Sequence, residues 1–214
     1  FIGPNDPLGG KRGLFSVMSE NPKIEPITDF KTIPFEIMRI YRKPYAACRH
    51  CHPAIEAALY IKNNNGVNPL DITSIDIDTY KLAVGGHDHT NIKGEASAKL
   101  STPFSVALAL TKDSANLMDF NQDAINDVDI LELSRKVRIN INEELTSWSP
   151  QKRAAIVRVT TNNGDTYSYR VDFPKGEPEN PMTQQDIVVK YQELADFANI
   201  DNKTANDYLK ALLK

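Results

Sequence analysis

The chain has 214 residues, of which 41% are hydrophobic and 25% charged, and 25 Lys+Arg against 28 Asp+Glu leave a formal net charge of −3. That supplies enough apolar material for a core but no basic footprint of the kind a sequence-independent nucleic-acid binder needs; a local basic pocket for small anions stays compatible with it. The longest apolar run, Phe104 to Leu110 interrupted by Ser105, is far too short to span a bilayer.

The first residues, Phe1-Ile2-Gly3-Pro4-Asn5-Asp6-Pro7, show no basic segment followed by an apolar run, so no secretory leader is read there. They also lack an initiating Met, which points to a piece of a longer chain. Residues 1–28 read as loop, a short helix over Lys11–Met18 and a connector broken at Pro22 and Pro26. Phe35 to Tyr41 reads as a strand. Pro53 to Lys62 reads as a helix, with Pro53 in its first turn and Asn63-Asn64-Asn65-Gly66 as its stop. Ile72 to Tyr80 alternates as a half-buried strand, Ile75, Ile77 and Thr79 on one face and Asp76 and Asp78 on the other.

Residues 85–95 form a Gly-, His- and Asp-rich loop. Phe104 to Leu110 reads as an apolar helix entered at Pro103, Asp127 to Ser134 as a second helix, and Val137, Ile139 and Ile141 as a strand. Two β-prone runs, Ala155–Thr161 and Thr166–Phe173, flank Asn162-Asn163-Gly164-Asp165, a hairpin turn. The Pro-rich stretch from Pro174 to Pro181 excludes regular structure. Helices over about 183–198 and 203–213 close the chain. There is no internal repeat. The order of elements implies an α+β fold with a small, largely antiparallel sheet, and the closing helices are expected to pack away from it.

All 4 His and both Cys fall in two segments, Cys48-Arg49-His50-Cys51-His52 and His87-Asp88-His89. The first spells C-x-x-C-H, the c-type haem attachment pattern, but three fixed positions are weak evidence and a Pro-led helix follows at once. A zinc site from Cys48, Cys51, His87 and His89 is the second reading; a chain of this size does not need such a staple. A module holding metal through Cys48, Cys51, His50 and His52 is a related alternative. A redox C-x-x-C or a disulfide between residues so close is disfavoured. The third reading is a cationic, titratable surface of Lys43, Arg49, His50, His52, His87 and Lys99, able to bind a di- or tricarboxylate and move a proton α to it. Against it stands the plainer view of solvated loop histidines and helix-cap partners.

Residues 43–59, Lys-Pro-Tyr-Ala-Ala-Cys-Arg-His-Cys-His-Pro-Ala-Ile-Glu-Ala-Ala-Leu, resemble a signature of the MmgE/PrpD family. Residues 78–89, the stretch Ala98-Lys99-Leu100-Ser101-Thr102-Pro103-Phe104, and Pro174-Lys175-Gly176 through Asn180-Pro181 resemble three further family motifs, in the family's order. That family includes 2-methylcitrate dehydratase, cis-aconitate decarboxylase and iminodisuccinate epimerase. The resemblance implies residues 1–28 as the end of an N-terminal helical domain, 29–180 as an α+β domain, and 181–214 as helices returning to the helical domain, most of which lies outside this chain.

It further implies a cytoplasmic, cofactor-independent and metal-free lyase acting on a small polycarboxylic acid, with an epimerase or racemase on the same scaffold as the alternative. The parent would be a homodimer, without nucleic-acid or membrane partners, and this part alone would be inactive. By resemblance Lys43 and His52 take the catalytic places, Lys43 as carboxylate binder or proton donor and His52 in proton transfer or hydrogen bonding. Arg49, His50, Cys48, Lys99 and Ser101 are the substrate-binding candidates, with Lys99 equally suited to a surface ion pair. His87 and His89 are expected to serve the loop, and the Lys175-Gly176 turn to be structural.

Overall fold

The computed structural model describes residue 3, residues 5–23 and residues 35–213. The chain divides into two compact units, residues 1–40 and 41–214. In the first, α1 (Leu14–Met18) is shorter than the helix expected over Lys11–Met18, because residues 10–13 are used in a turn that Gly13 closes onto the Gly10 carbonyl. The strand expected from Phe35 to Tyr41 is absent. Glu36–Arg39 form a 3-10 turn, and Phe35, Ile37, Met38 and Ile40 are all exposed. Met38 and Ile40 fill the positions that should have been polar, so the run carried no true alternation. The expected break at Pro26 and the boundary at 28/29 lie outside the described residues.

The second unit is built on a four-stranded sheet in the order β2-β1-β3-β4, with β1 Ile72–Thr79, β2 Val137–Ile141, β3 Ala155–Thr161 and β4 Thr166–Val171. β1 pairs with β2 in parallel and with β3 antiparallel, and β3 with β4 antiparallel. The sheet is thus mixed and largely antiparallel, as its sequence order implied. Gly164, at φ +90°, makes the hairpin turn between β3 and β4.

The long crossover from β1 to β2 carries α3 (Lys81–Val84), α4 (Glu95–Leu100), α5 (Thr102–Lys112), α6 (Gln122–Asn126) and α7 (Val128–Arg135); α8 (Glu143–Trp148) follows β2. Before the sheet comes α2 (His52–Asn65), which runs through the Asn triplet and stops only at Gly66, where φ is +66°. α2 lies across β3 and β4, where Tyr60 stacks on Tyr169 with ring centroids 3.6 Å apart. α5 is wedged between α2 and α7, and its residues 102–110 are buried throughout. Ile55, Ile61, Ile75, Ile77, Phe104, Leu108, Ile130, Val157 and Val159 make one continuous core. A second, smaller core of Tyr80, Ala83, Leu145 and Ala154 sits at the C-terminal end of β1.

α9 (Gln184–Phe197) and α10 (Asn202–Leu212) pack on one another, tied by the Tyr191 hydroxyl to the Ala205 carbonyl at 3.0 Å. They leave Ile187, Val189, Leu194, Phe197, Tyr208 and Leu212 exposed. Among the described residues no helix is long and apolar enough to cross a membrane.

Candidate active site

Five chain segments meet at one end of the sheet: residues 41–52, the end of β1 at Tyr80, the loop at His87, the start of α5, and residues 152–154 leading into β3. Residues 41–48 have no regular structure of their own and are held by backbone bonds to three distant places. Arg42 N–H donates to the Gly176 carbonyl at 2.8 Å, Ala46 N–H to Ala115 at 2.8 Å and Cys48 N–H to Lys99 at 2.7 Å. A 3-10 turn over Arg49–Cys51 then feeds α2, with Pro53 in its first turn, where the missing N–H costs nothing.

Lys43 and His52, nine residues apart in sequence, meet at one atom. The Lys43 ammonium and His52 Nε2–H both donate to the Ala47 carbonyl, each at 3.2 Å. Lys43 is exposed, whereas His52 is 2% exposed and lies edge-on to the Tyr45 ring at 5.3 Å. Burial pushes the His52 ring down to about 4, against the pull of its bond to Ala47, with the Lys43 and Arg49 charges adding to the effect.

A buried neutral imidazole has a thermodynamic signature. His52 takes up no proton in the folded chain until pH approaches 4, but does so near 6.5 when unfolded. Its contribution to stability is therefore complete above about pH 6.5 and drains away as pH falls toward 4. Between pH 8 and pH 5 the loss is about 2 kcal/mol from this ring. Urea unfolding at the two pH values should show that drop in the wild type and a drop smaller by about 2 kcal/mol in His52→Gln; equal drops would show that His52 is not buried neutral.

Arg49 is already spoken for. Its guanidinium forks onto the Glu177 carboxylate, Nε to Oε1 at 2.7 Å and Nη2 to Oε2, and its face lies 3.8 Å from the centroid of the Tyr41 ring. Arg153, by contrast, makes no ion pair among the described residues, and its Nε is buried without a hydrogen-bond partner there. It lies close enough to His50 and Tyr80 to act on the titration of both. An unneutralised guanidinium can fork onto a carboxylate; one committed to Glu177 cannot do so without losing that pair.

His50 Nδ1 and the Tyr80 hydroxyl are 2.5 Å apart, and the rings of His50 and His87 are 5.0 Å apart. Burial, followed by the neighbouring His87, Arg153 and Arg49, pushes His50 down to about 4. Burial holds the Tyr80 phenol well above its ordinary range. His87 Nδ1–H donates to the Leu100 carbonyl at 2.8 Å, which leaves Nε2 facing Cys48 Sγ at 4.0 Å.

The other candidates are placed differently. Lys99 Nζ pairs with Glu95 at 3.6 Å on the surface of α4; its contribution to the site is its carbonyl, which takes the Cys48 N–H. Ser101 is fully buried, caps α5 by accepting from Phe104 N–H at 3.1 Å, and donates to the His89 carbonyl at 2.5 Å. His89 is occupied by Gly86 of its own loop and by Ser97 of α4. The two thiols face different partners: Cys51 is fully buried, takes a hydrogen bond from Thr102 at 3.3 Å, and is pushed up to about 12 by burial. The C-x-x-C spacing therefore does not describe a chelate, and both cysteines are free.

Tyr80, Arg153 and Glu177 were not singled out from the sequence. Glu177 stands in the Pro-rich motif, where its charge was the available signal. Tyr80 and Arg153 reach the site because Thr79 and Ala155 pair across β1 and β3, so the residues just beyond each strand are neighbours. Two clefts are formed, one away from this site and one on its flank at Pro44 and Tyr45. One of about 350 Å³ is lined by Lys62, Leu70 and Glu132, and one of about 400 Å³ by Tyr45, Lys175 and Asp186.

Residues 45–211 match the model of the MmgE/PrpD C-terminal domain. The chain is also similar to a protein named cis-aconitate decarboxylase from Aspergillus terreus, at 26% identity in a match 166 residues long that covers 72% of this chain and 33% of that protein. The chain thus spans about a third of the length of that curated relative. The matched stretch takes in Cys48 to His52, His87, Ser101, Arg153 and the turn at Gly176, and the chain belongs to the MmgE/PrpD family.

Proposed function

We propose that this chain supplies one wall of the active site of a cofactor-independent lyase acting on a small di- or tricarboxylic acid: either it removes a proton α to a carboxylate and the hydroxyl on the neighbouring carbon leaves as water, or a carboxylate leaves as carbon dioxide and the carbon left behind takes up a proton. The observation that carries this reading is the pair of cationic groups that no carboxylate among the described residues neutralises: the exposed Lys43 ammonium and the Arg153 guanidinium. Membership of a family with lyase-type members supports it, as does the similarity to a protein named as a decarboxylase.

Lys43 touches the substrate in this reading, as carboxylate binder or proton donor. Charge that develops on a carboxylate as its α-proton leaves is stabilised by such a fixed cation. His52 is a positioning residue. It is too buried to meet a ligand and holds the Ala47 carbonyl that aims Lys43. Arg153 forks onto a second carboxylate, the role that sequence reading assigned to Arg49. The opposite wall, and the general base, come from a helical domain of the same parent, which the exposed apolar side chains of α9 and α10 are suited to meet. The parent works as a homodimer.

The test uses the full-length parent with 2-methylcitrate, citrate and cis-aconitate in deuterated water. Loss of water or carbon dioxide is expected, with Lys43→Ala lowering kcat/KM by roughly 10²-fold or more. Arg153→Ala should raise KM by roughly 10- to 100-fold, the worth of a charge-assisted hydrogen bond. Deuterium exchange at the α-carbon without loss of either group would move the assignment to an epimerase, and no turnover or binding of any polycarboxylate would sink it.

A further inference from the structure

Cys48, His50 and His87 are not used by the lyase reading. One ligand atom from each lies within 4.8 Å of the other two. His50 and Cys48 are half-buried, as is His87, so solvent reaches all three. Their side chains come from two separate segments, and each segment is anchored. Cys48 is fixed by its backbone bond to Lys99, and His87 by its N–H bond to Val84.

Each imidazole also has one nitrogen committed to a bond that orients the ring. His87 Nδ1–H donates to the Leu100 carbonyl at 2.8 Å, and His50 Nδ1 is 2.5 Å from the Tyr80 hydroxyl. Outer partners of this kind fix the tautomer and direction of metal-ligating histidines. The donation by His87 leaves the Nε2 lone pair facing Cys48 Sγ at 4.0 Å.

In a tetrahedral zinc site, sulfur and nitrogen ligands stand about 3.5 Å apart and two nitrogens about 3.3 Å. Closing Cys48 onto His87 thus needs about half an ångström, and the widest separation allowed within the group about 1.5 Å, both within reach of side-chain rotation. One thiol and two imidazoles, with no carboxylate, select a borderline transition metal over calcium or magnesium. Arg153 is the opposing term: its charge disfavours a second cation nearby. The Cys48 thiolate offsets one positive charge, and an open fourth position takes water or an anion that Arg153 favours.

We propose that Cys48, His50 and His87 form a three-ligand site for a zinc-class dication, with the fourth position open. Binding releases the Cys48 thiol proton to solvent and forms one metal–sulfur and two metal–nitrogen bonds. This is a different set from the one the C-x-x-C spacing proposes, since Cys51 and His89 are engaged elsewhere.

The experiment is a titration of the 214-residue chain, purified without a His tag and with thiols reduced, with Co²⁺ and then Zn²⁺. One equivalent of Co²⁺ should bind and give a thiolate-to-cobalt charge-transfer band, which one equivalent of Zn²⁺ removes. Cys48→Ser should abolish the band, His87→Ala should weaken binding at least tenfold, and His89→Ala should leave it unchanged. In the unmodified chain, one equivalent of Zn²⁺ should protect Cys48 from iodoacetamide, read by peptide mass mapping; this arm needs no variant to fold. A charge-transfer band that survives Cys48→Ser, binding indifferent to His87→Ala, or alkylation of Cys48 unaffected by Zn²⁺ would each overturn the assignment.

Discussion

Gly176→Ala should cost the second unit about 3 kcal/mol or more, well beyond the ordinary price of a glycine substitution. A Cβ on Gly176 would stand 1.9 Å from the Arg42 carbonyl oxygen and 3.0 Å from its carbon, at a φ of +94°. Both contacts are backbone, so no side chain can swing aside. Separating the two strands of chain would break the bond from Arg42 N–H to the Gly176 carbonyl and displace Lys43, its neighbour. Gly164 is the internal control. Its φ is +90°, but nothing lies within 4 Å of its Cβ position, so Gly164→Ala carries only the backbone strain, about 1–2 kcal/mol. Urea unfolding of the two variants separates close approach from strain. If Gly176→Ala is no more destabilising than Gly164→Ala, the packing of residue 176 on residue 42 is not a constraint.

Glu177→Gln should be the second large effect, a loss of about 3 kcal/mol. The Arg49–Glu177 fork is largely removed from water, with side-chain exposures of 18% and 9%. Removing one partner leaves the other charge desolvated without compensation, and that penalty is the main term. Truncating both should therefore be milder. Arg49→Met combined with Glu177→Gln is expected to recover at least half of the loss, because Met still covers the Tyr41 ring and carries no charge. The coupling should respond little to salt, since a pair this sheltered is poorly screened. A double variant no more stable than Glu177→Gln would mean that the pair contributes geometry rather than relieving a buried charge. The same substitutions bear on function: Arg49 variants should act through folded population, whereas Arg153 variants should act on KM.

Both effects arise in a stretch that sequence reading left without regular structure, with its Lys175-Gly176 turn expected to be structural. The Pro-rich segment from Pro174 to Pro181 is irregular, as its prolines required, but it is not loose. Gly176 N–H bonds to the Asn180 carbonyl at 2.7 Å, Lys175 N–H to Glu56 at 2.6 Å, and the Lys175 ammonium to Asp186 at 2.8 Å. That last contact, with the Thr183 bonds, holds the Asp186 carboxyl down at about 2. The turn clamps the 41–49 segment on one side and α9 on the other.

Elements whose signals are local were legible in advance. The strand at Ile75–Thr79, the helix led by Pro53, the apolar helix behind Pro103 and the Asn-Gly hairpin all rest on periodicities or turn chemistry contained within a few residues. The four short helices α3, α4, α6 and α8, of 4 to 6 residues each, were not legible, because fewer than two turns give no 3.6-residue period to read. Caps at Asn121 and Asn142 were the available cue for two of them. The apolar run at 35–40 misled in the opposite direction: a strand is made by its partner, and none pairs with it among the described residues.

By itself the sequence determined the fold class, the family and the residues rich in chemistry, since composition, period and motif order are properties of the chain read in line. What only the tertiary structure decided is which of those residues are free to act. Arg49 and Arg153 are the same side chain in sequence; Glu177, 128 positions from Arg49, neutralises one, while no carboxylate among the described residues pairs with the other. Ser101 and Cys51 carry reactive groups that burial and capping consume, while His87, set aside as loop, is turned toward Cys48 and His50 by the hydrogen bond its ring donates to the Leu100 carbonyl. Availability of a polar group depends on which partners long-range packing brings within hydrogen-bond distance, and that information resides in no local stretch of the chain.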